Sequence, residues 1–356
     1  MTLPDRDAAF KRPRRRWLFI PYAVVVVAVF LWSIAWLEIR NQVALAMDRA
    51  SVQARAHGLV LDWKDRIIGG YPFRVEVAVT DFRAGEPSGW LLSAPNMKAV
   101  ANAYDPSHWV VAAENGVVLG RPNAGATHIT GRAIRASWVS PKSLGGGDAA
   151  PRMIVEGLDL TFAADPGAKP FPLASASHAE IFTRTEPDGR MDAGLLLEGA
   201  QPRASIPGAP SLLADLTANR PFALLWQGIV SHPEAFRGAS APVAALAWAN
   251  AGGEIATVRA GASSGPRGFG VRPGVLSLSA DGRLRGQADF VIRGDASNAM
   301  RAVGQDQIVQ PFAADAVALI LQAQEAAGWR TEIPLTFQAG VTTLGPVAIG
   351  PAPKPF

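Results

Sequence analysis

Residues 73–82 read FRVEVAVTDF, in which Phe73, Val75, Val77 and Val79 alternate with Arg74, Glu76, Ala78 and Thr80. Neighbouring side chains on an extended chain point to opposite faces, so this period of two predicts a half-buried strand of an antiparallel sheet. Its apolar members, Phe73, Val75, Val77 and Val79, form the candidate ligand-binding face. The same texture recurs at 59–63, 90–94, 97–103, 109–114, 131–139, 153–162, 177–185 and 193–198, separated by Gly-Gly, Glu-Pro-Ser-Gly, Asp-Pro and Glu-Pro-Asp-Gly clusters that form turns.

Towards the C-terminus, 254–262 predicts a strand, 275–293 a hairpin turning at Asp281-Gly282, and 331–337 with 342–349 a closing pair. Helices are expected at 242–251, ended by Gly252-Gly253, and at 313–327, ended by Gly328. Residues 144–151 (LGGGDAAP) and 201–211 (QPRASIPGAPS) read as irregular connections. Strands outnumber helices and do not alternate with them, which argues against a doubly wound fold. The expected fold class is a β-rich α+β body, with a large, mostly antiparallel and curved sheet, behind an N-terminal transmembrane helix.

That helix is Trp17–Leu37 (WLFIPYAVVVVAVFLWSIAWL), 21 uncharged residues, enough to cross a hydrocarbon core of about 30 Å. Trp17 at one end and Trp32 and Trp36 at the other are placed for the two interfaces. Pro21 is expected in the first turn, where its missing N–H costs little. Arg14, Arg15 and Arg16 precede the span and Glu38 and Arg40 follow it. The positive-inside rule therefore puts the tail in the cytoplasm and residues 38–356 on the opposite side. Residues 38–57 lack Pro and Gly and carry Val43, Met47, Ala50 and Ala54 at three- and four-residue spacing, predicting a stalk helix capped by Gly58. A cleaved signal peptide is the competing reading, since Ala44-Leu45-Ala46 has the small-x-small form, but the apolar run exceeds the usual h-region of roughly 7–15 residues. The expected organisation is a tail (1–16), a span (17–37), a stalk (38–57) and a β-rich domain (58–356) with two halves meeting near 199–211.

The chain of 356 residues holds 34 Lys and Arg against 30 Asp and Glu. Residues 1–16 contain six of the basic and two of the acidic side chains, which leaves the remainder balanced at 28 each. The formal charge of +4 is thus a topology signal, and it argues against a nucleic-acid partner. The absence of cysteine excludes disulfides, thiolate metal sites and a cysteine nucleophile.

Motifs that carry chemistry are sparse. There is no P-loop, and Gly268-Phe269-Gly270 lacks the third glycine of a dinucleotide fingerprint. His57, His108, His128, His178 and His232 are scattered without ligand spacing, so no metal or cofactor is expected. Gly261-Ala262-Ser263-Ser264-Gly265 matches the nucleophile-elbow pattern. It runs into Pro266-Arg267-Gly268 where a helix should start, no histidine follows Ser263, and it reads as a turn. Asp62, Asp65, Glu76 and Asp81 alternate with Lys64, Arg66, Arg74 and Arg83, as on a solvated strand face. No catalytic residue emerges, and the chain is not expected to be an enzyme.

Three segments carry a resemblance: Trp63 with Gly70-Tyr71-Pro72-Phe73-Arg74; Ala103-Tyr104-Asp105-Pro106-Ser107-His108-Trp109; and Ile333-Pro334-Leu335-Thr336-Phe337 leading into LGPVAIGP at 344–351. With the N-terminal span, they resemble a domain-of-unknown-function family of single-pass envelope proteins from Gram-negative bacteria of the alphaproteobacterial type. The layout is more remotely similar to the AsmA-like envelope proteins, whose anchor precedes a long curved sheet with an apolar concave face associated with phospholipid movement. The resemblance implies an inner-membrane protein with its bulk in the periplasm, no catalytic residues and no cofactor. Its implied partners are the inner membrane, phospholipid or another lipid, and an envelope protein. The expected function is a membrane-anchored binding or scaffold protein that holds or passes lipid along an apolar sheet groove in envelope maintenance. The alternative is a structural assembly partner of an inner-membrane complex, with a closed core and no ligand.

Overall fold

The computed structural model describes residues 16–139, 152–203, 220–236, 241–265, 267–293, 331–345 and 347–354. Span and stalk form one unbroken helix, α1 (Arg16–Ala56), of 41 residues and so roughly 60 Å long. Among the described residues it is the one helix long and apolar enough to cross a membrane. Pro21 lies near the start of its described extent. Gly58 ends it as expected, with φ at 73°. The Leu59 N–H donates to the Ala54 carbonyl (2.8 Å) and the Gly58 N–H to that of Arg55 (3.0 Å), the paired bonds of a Schellman cap.

Beyond the helix the chain is a meander. Its strands are β1 (Val60–Asp62), β2 (Asp65–Gly69), β3 (Arg74–Gly85), β4 (Leu91–Asn102), β5 (Asp105–Ala112), β6 (Val117–Arg121), β7 (Gly125–Thr130), β8 (Ala133–Val139), β9 (Arg152–Ala164) and β10 (Leu173–Thr185). They continue as β11 (Met191–Pro202), β12 (Phe222–Val230), β13 (Glu254–Ser264), β14 (Arg267–Val271), β15 (Gly274–Leu278), β16 (Leu284–Arg293), β17 (Thr331–Gln338), β18 (Val341–Leu344) and β19 (Val347–Pro351). Among the described residues all 19 belong to one sheet, and every pairing is antiparallel. Several rungs are two short strands laid end to end: β1 and β2 both pair with β3, β5 and β6 with β4, and β7 and β8 with β9. From β9 to β13 each strand pairs with the next, so β11 and β12, which flank 204–219, are neighbours.

Five strands escape the alternation test, the short β2 and β14 among them. β6 and β7 are short, and β12 (FALLWQGIV) is a nearly continuous apolar run without a period. The runs at 90–94 and 97–103, expected as two strands, merge into the single strand β4 (Leu91–Asn102). The helix expected at 313–327, the loop at 144–151 and most of 201–211 lie outside the described residues. After a 3-10 turn at Pro233–Phe236 comes α2 (Ala241–Asn250). The Trp248 indole N–H of α2 donates to the Ser231 carbonyl at 2.6 Å.

Among the described residues two clusters form the core. One, around β9 to β12, gathers Leu160, Phe162, Leu173, Ala176, Ala200 and Phe222. Phe171 of the β9–β10 loop stacks on Phe162 with centroids 4.7 Å apart, and Arg203 holds that loop by donating to the carbonyls of Phe162 and Phe171. The other joins Trp36 of α1 to Val75 and Ala103, with Trp32, Ile39, Val43, Ile68 and Trp109 packed around them. The sheet face at β2 to β5 is therefore covered by the chain's own helix.

The opening stretch needs one correction. Val75, Val77 and Val79 are buried as the alternation requires, but Phe73 precedes β3 and is 70% exposed. The reason is local: the Arg74 N–H donates to the Gly70 carbonyl at 3.0 Å, closing a turn that interrupts the pleat before Arg74. The Tyr71–Pro72 bond in this turn is cis.

Candidate functional site

One face of α1 carries two adjacent stripes, and each meets the sheet differently. The first is polar. The indole N–H groups of Trp32 and Trp36 donate to the carbonyls of Pro72 (2.9 Å) and Arg74 (2.8 Å), and Arg40 Nε donates to that of Ile68 (3.3 Å). Farther along, Arg66 reaches from β2 to the Ala44 carbonyl (3.1 Å) and to both carboxylate oxygens of Asp48 (2.8 and 3.3 Å). Ser51 closes the series by donating to the Leu61 carbonyl at 2.9 Å. Positions 32, 36, 40, 44, 48 and 51 recur every three or four residues, as a single helical stripe must.

The second stripe is apolar: Ile39, Val43, Ala46, Met47 and Ala50, with Gln42 among them. It overhangs a sheet surface built by cross-strand rows, for Val77 lies opposite Ala99 and Ala99 opposite Val111. Val79 likewise faces Met97, and Trp109 faces Trp138. Asp81 has φ at 50°, a conformation Asp tolerates better than most residues, and it advances the alternation by one so that Phe82 joins Val79. Between helix and sheet is a cavity of about 600 Å³ whose lining is apolar but for Gln42. That size and chemistry suit an apolar small molecule or chain.

Of the face expected to bind ligand, Val77 and Val79 line the cavity, Val75 is sealed beneath Trp36, and Phe73 stands outside. Of the residues expected to set membrane topology, Arg14 and Arg15 lie outside the described residues, and Arg16 and Trp17 open α1. Trp32 and Trp36 turn towards the body, and Trp36 is 7% exposed. A buried indole must find an acceptor for its N–H, and the carbonyls of Pro72 and Arg74 supply one each. The helical half of the cavity was visible in the 3–4 spacing of Val43, Met47 and Ala50. The missing signal was which sheet face that stripe would cover.

Elsewhere polar groups pair locally. His128 Nε2 lies 2.7 Å from Asp165, His108 Nε2 2.9 Å from Ser137 Oγ, and His232 Nδ1 3.1 Å from Glu234. Across β8 to β11 runs a ladder in which Arg135 donates to Glu156 (2.6 Å) and His178 stands between Glu156 (3.5 Å) and Glu198 (3.3 Å). The Arg135 hydrogen bond holds the Glu156 carboxyl below the usual carboxylate range, against the opposing effect of burial. Among the described residues no group of three or more His, Asp or Glu is arranged to hold a metal ion. The serines of the Gly261–Gly265 pattern sit at the end of β13, which runs into the antiparallel β14, giving a hairpin in place of an elbow.

No curated protein and no solved structure matches the chain. A family match covers residues 36–353, beginning at Trp36, the residue that seals α1 to β3. The chain accordingly belongs to the bacterial family described as "Uncharacterized protein conserved in bacteria (DUF2125)".

Proposed function

We propose that this is a membrane-anchored periplasmic binding or scaffold protein that holds lipid in the cavity between α1 and the sheet. In this reading α1 is fixed in the inner membrane by its uncharged first half, the arginine-rich tail stays cytoplasmic, and the body stands in the periplasm. The observation that carries it is the lining: residues 39–50 of the helix and facing rows of β3, β4, β5 and β8 leave about 600 Å³ of nearly continuous apolar wall. Water is held poorly in such a space, and an acyl chain would fill it without unsatisfied polar groups. The AsmA-like layout is an analogy in the same direction and carries less weight.

The test is extraction and mass spectrometry of lipid from the purified full-length protein, compared with Ala46→Trp and Ala99→Phe, which fill the cavity from its two walls. Co-purified phospholipid that falls several-fold in both variants is expected. A lipid content unchanged by both substitutions would remove the cavity from the reading.

A further inference from the structure

The contacts of α1 fix how deep the body sits. Glu38 is the first charged residue after Arg16, so an uncharged span that fills the hydrocarbon core must end close to it. Trp32, held to Pro72, precedes Glu38 by six residues, about 9 Å along the helix axis. Ser33, whose hydroxyl meets the Tyr71 hydroxyl at 2.9 Å, precedes it by five. The turn at 70–73 is therefore attached to α1 at a level that still belongs to the membrane span.

Three carbonyls of that turn are satisfied within the protein. The Gly70 carbonyl accepts from the Arg74 N–H (3.0 Å), that of Pro72 from the Trp32 indole (2.9 Å) and that of Phe73 from the Ala103 N–H (2.9 Å). Pro72 has no N–H to satisfy. Backbone can enter an apolar layer when its polar groups are met internally. The side chains it presents are aromatic: Phe73 is 70% exposed, Tyr71 is 49% exposed, and Tyr104 is 71% exposed. Tyr104 lies in the adjacent β4–β5 turn, at the same end of the sheet, since Arg74 pairs with Asn102. Exposed aromatic rings at this depth match the belt that membrane proteins place at the lipid–water boundary.

We infer that the end of the sheet formed by the Gly70–Phe73 turn and Tyr104 is embedded in the lipid interface where α1 leaves the bilayer. The occupant of this surface is the bilayer itself. The body thus holds the membrane at two places, the helix and an aromatic foot, and cannot swivel freely about α1. This inference rests on α1 being a retained anchor, but not on lipid occupying the cavity.

The chain has no cysteine, so single cysteines can be labelled cleanly. Nitroxide labels at Phe73→Cys, Tyr104→Cys, Val27→Cys in the span and Val258→Cys on β13 would be compared in full-length protein in phosphatidylethanolamine–phosphatidylglycerol vesicles. The readout is the ratio of oxygen to nickel-chelate accessibility. All four side chains are exposed, so the fold should tolerate each change. The ratio is expected to be several-fold higher at 73 and 104 than at 258. Values at 73 and 104 equal to that at 258, with 27 reading as lipid, would overturn the foot and leave the anchor standing. A label at 27 that reads as water would overturn the anchor and the foot together.

Discussion

The Trp36 indole N–H donates to the Arg74 carbonyl oxygen at 2.8 Å, joining the helix to the first residue of β3. The ring also meets Tyr71 edge-on at 5.5 Å and covers Val75, which is 0% exposed. Trp36→Phe keeps most of the packing but leaves a carbonyl without its donor, a loss of about 1–3 kcal/mol. Trp36→Ala also opens a cavity and should cost about 3–5 kcal/mol. Chemical denaturation of the detergent-solubilised protein checks both, and an unchanged stability in Trp36→Phe would show that the hydrogen bond contributes nothing.

Arg66 and Asp48 clamp β2 to α1 through two hydrogen bonds. A double-mutant cycle of Arg66→Ala and Asp48→Ala should give a coupling of about 0.5–1 kcal/mol. Arg66→Lys should recover only part of it, because an ammonium cannot reproduce the fork. Full recovery by lysine would reduce the contact to simple charge attraction.

Thr127 on β7 is fully buried and its hydroxyl has no hydrogen-bond partner. A buried unsatisfied hydroxyl costs free energy that an isosteric methyl group does not. Thr127→Val should therefore raise the melting temperature, by a stabilisation of about 1 kcal/mol. A lowered melting temperature would mean that the hydroxyl is satisfied in solution, for instance by water.

The Arg135–Glu156 pair predicts a pH dependence of known sign. The folded carboxyl titrates below its unfolded value, so its stabilisation is complete above the ordinary carboxylate range, near pH ~4.3. It is lost as pH falls through the lower folded value. Glu156→Gln should melt below the wild type at pH 7, and the gap should close under acid conditions. A gap independent of pH would assign the effect to packing.

Much of this architecture is legible in the sequence, for identifiable reasons. The period of two in 73–82 and the turn clusters reveal an antiparallel sheet, because side-chain alternation and backbone geometry are local properties. Gly58 is legible as a cap for the same reason. Phe73 is misread because a hydrogen bond to Gly70, invisible to a pattern, stops the strand one residue short. β12 is missed because a strand partly buried on both faces loses its period. Trp32 and Trp36 show the limit most clearly. An indole near a membrane end looks like an interfacial anchor, and only tertiary structure reveals that carbonyls 38 and 40 residues away claim their N–H groups. The cavity follows the same logic: the spacing of Val43, Met47 and Ala50 is legible, but its pairing with Val77, Ala99 and Val111 is a fact of three dimensions.

A membrane tether is ordinarily dispensable to the domain it carries, and removing it is the usual way to obtain a soluble fragment. Here the apolar N-terminal helix and the hydrophobic core share residues. A cut after Ala46, at the Ala44-Leu45-Ala46 signal-peptide-like site, would strip Trp36, Ile39 and Val43 from the sheet and uncover Val75. It would take the Ala44 carbonyl from Arg66 in the same stroke. The body freed from its helix would present an apolar sheet surface to water and aggregate rather than circulate. Keeping α1 joined to the sheet is thus a condition of an intact core.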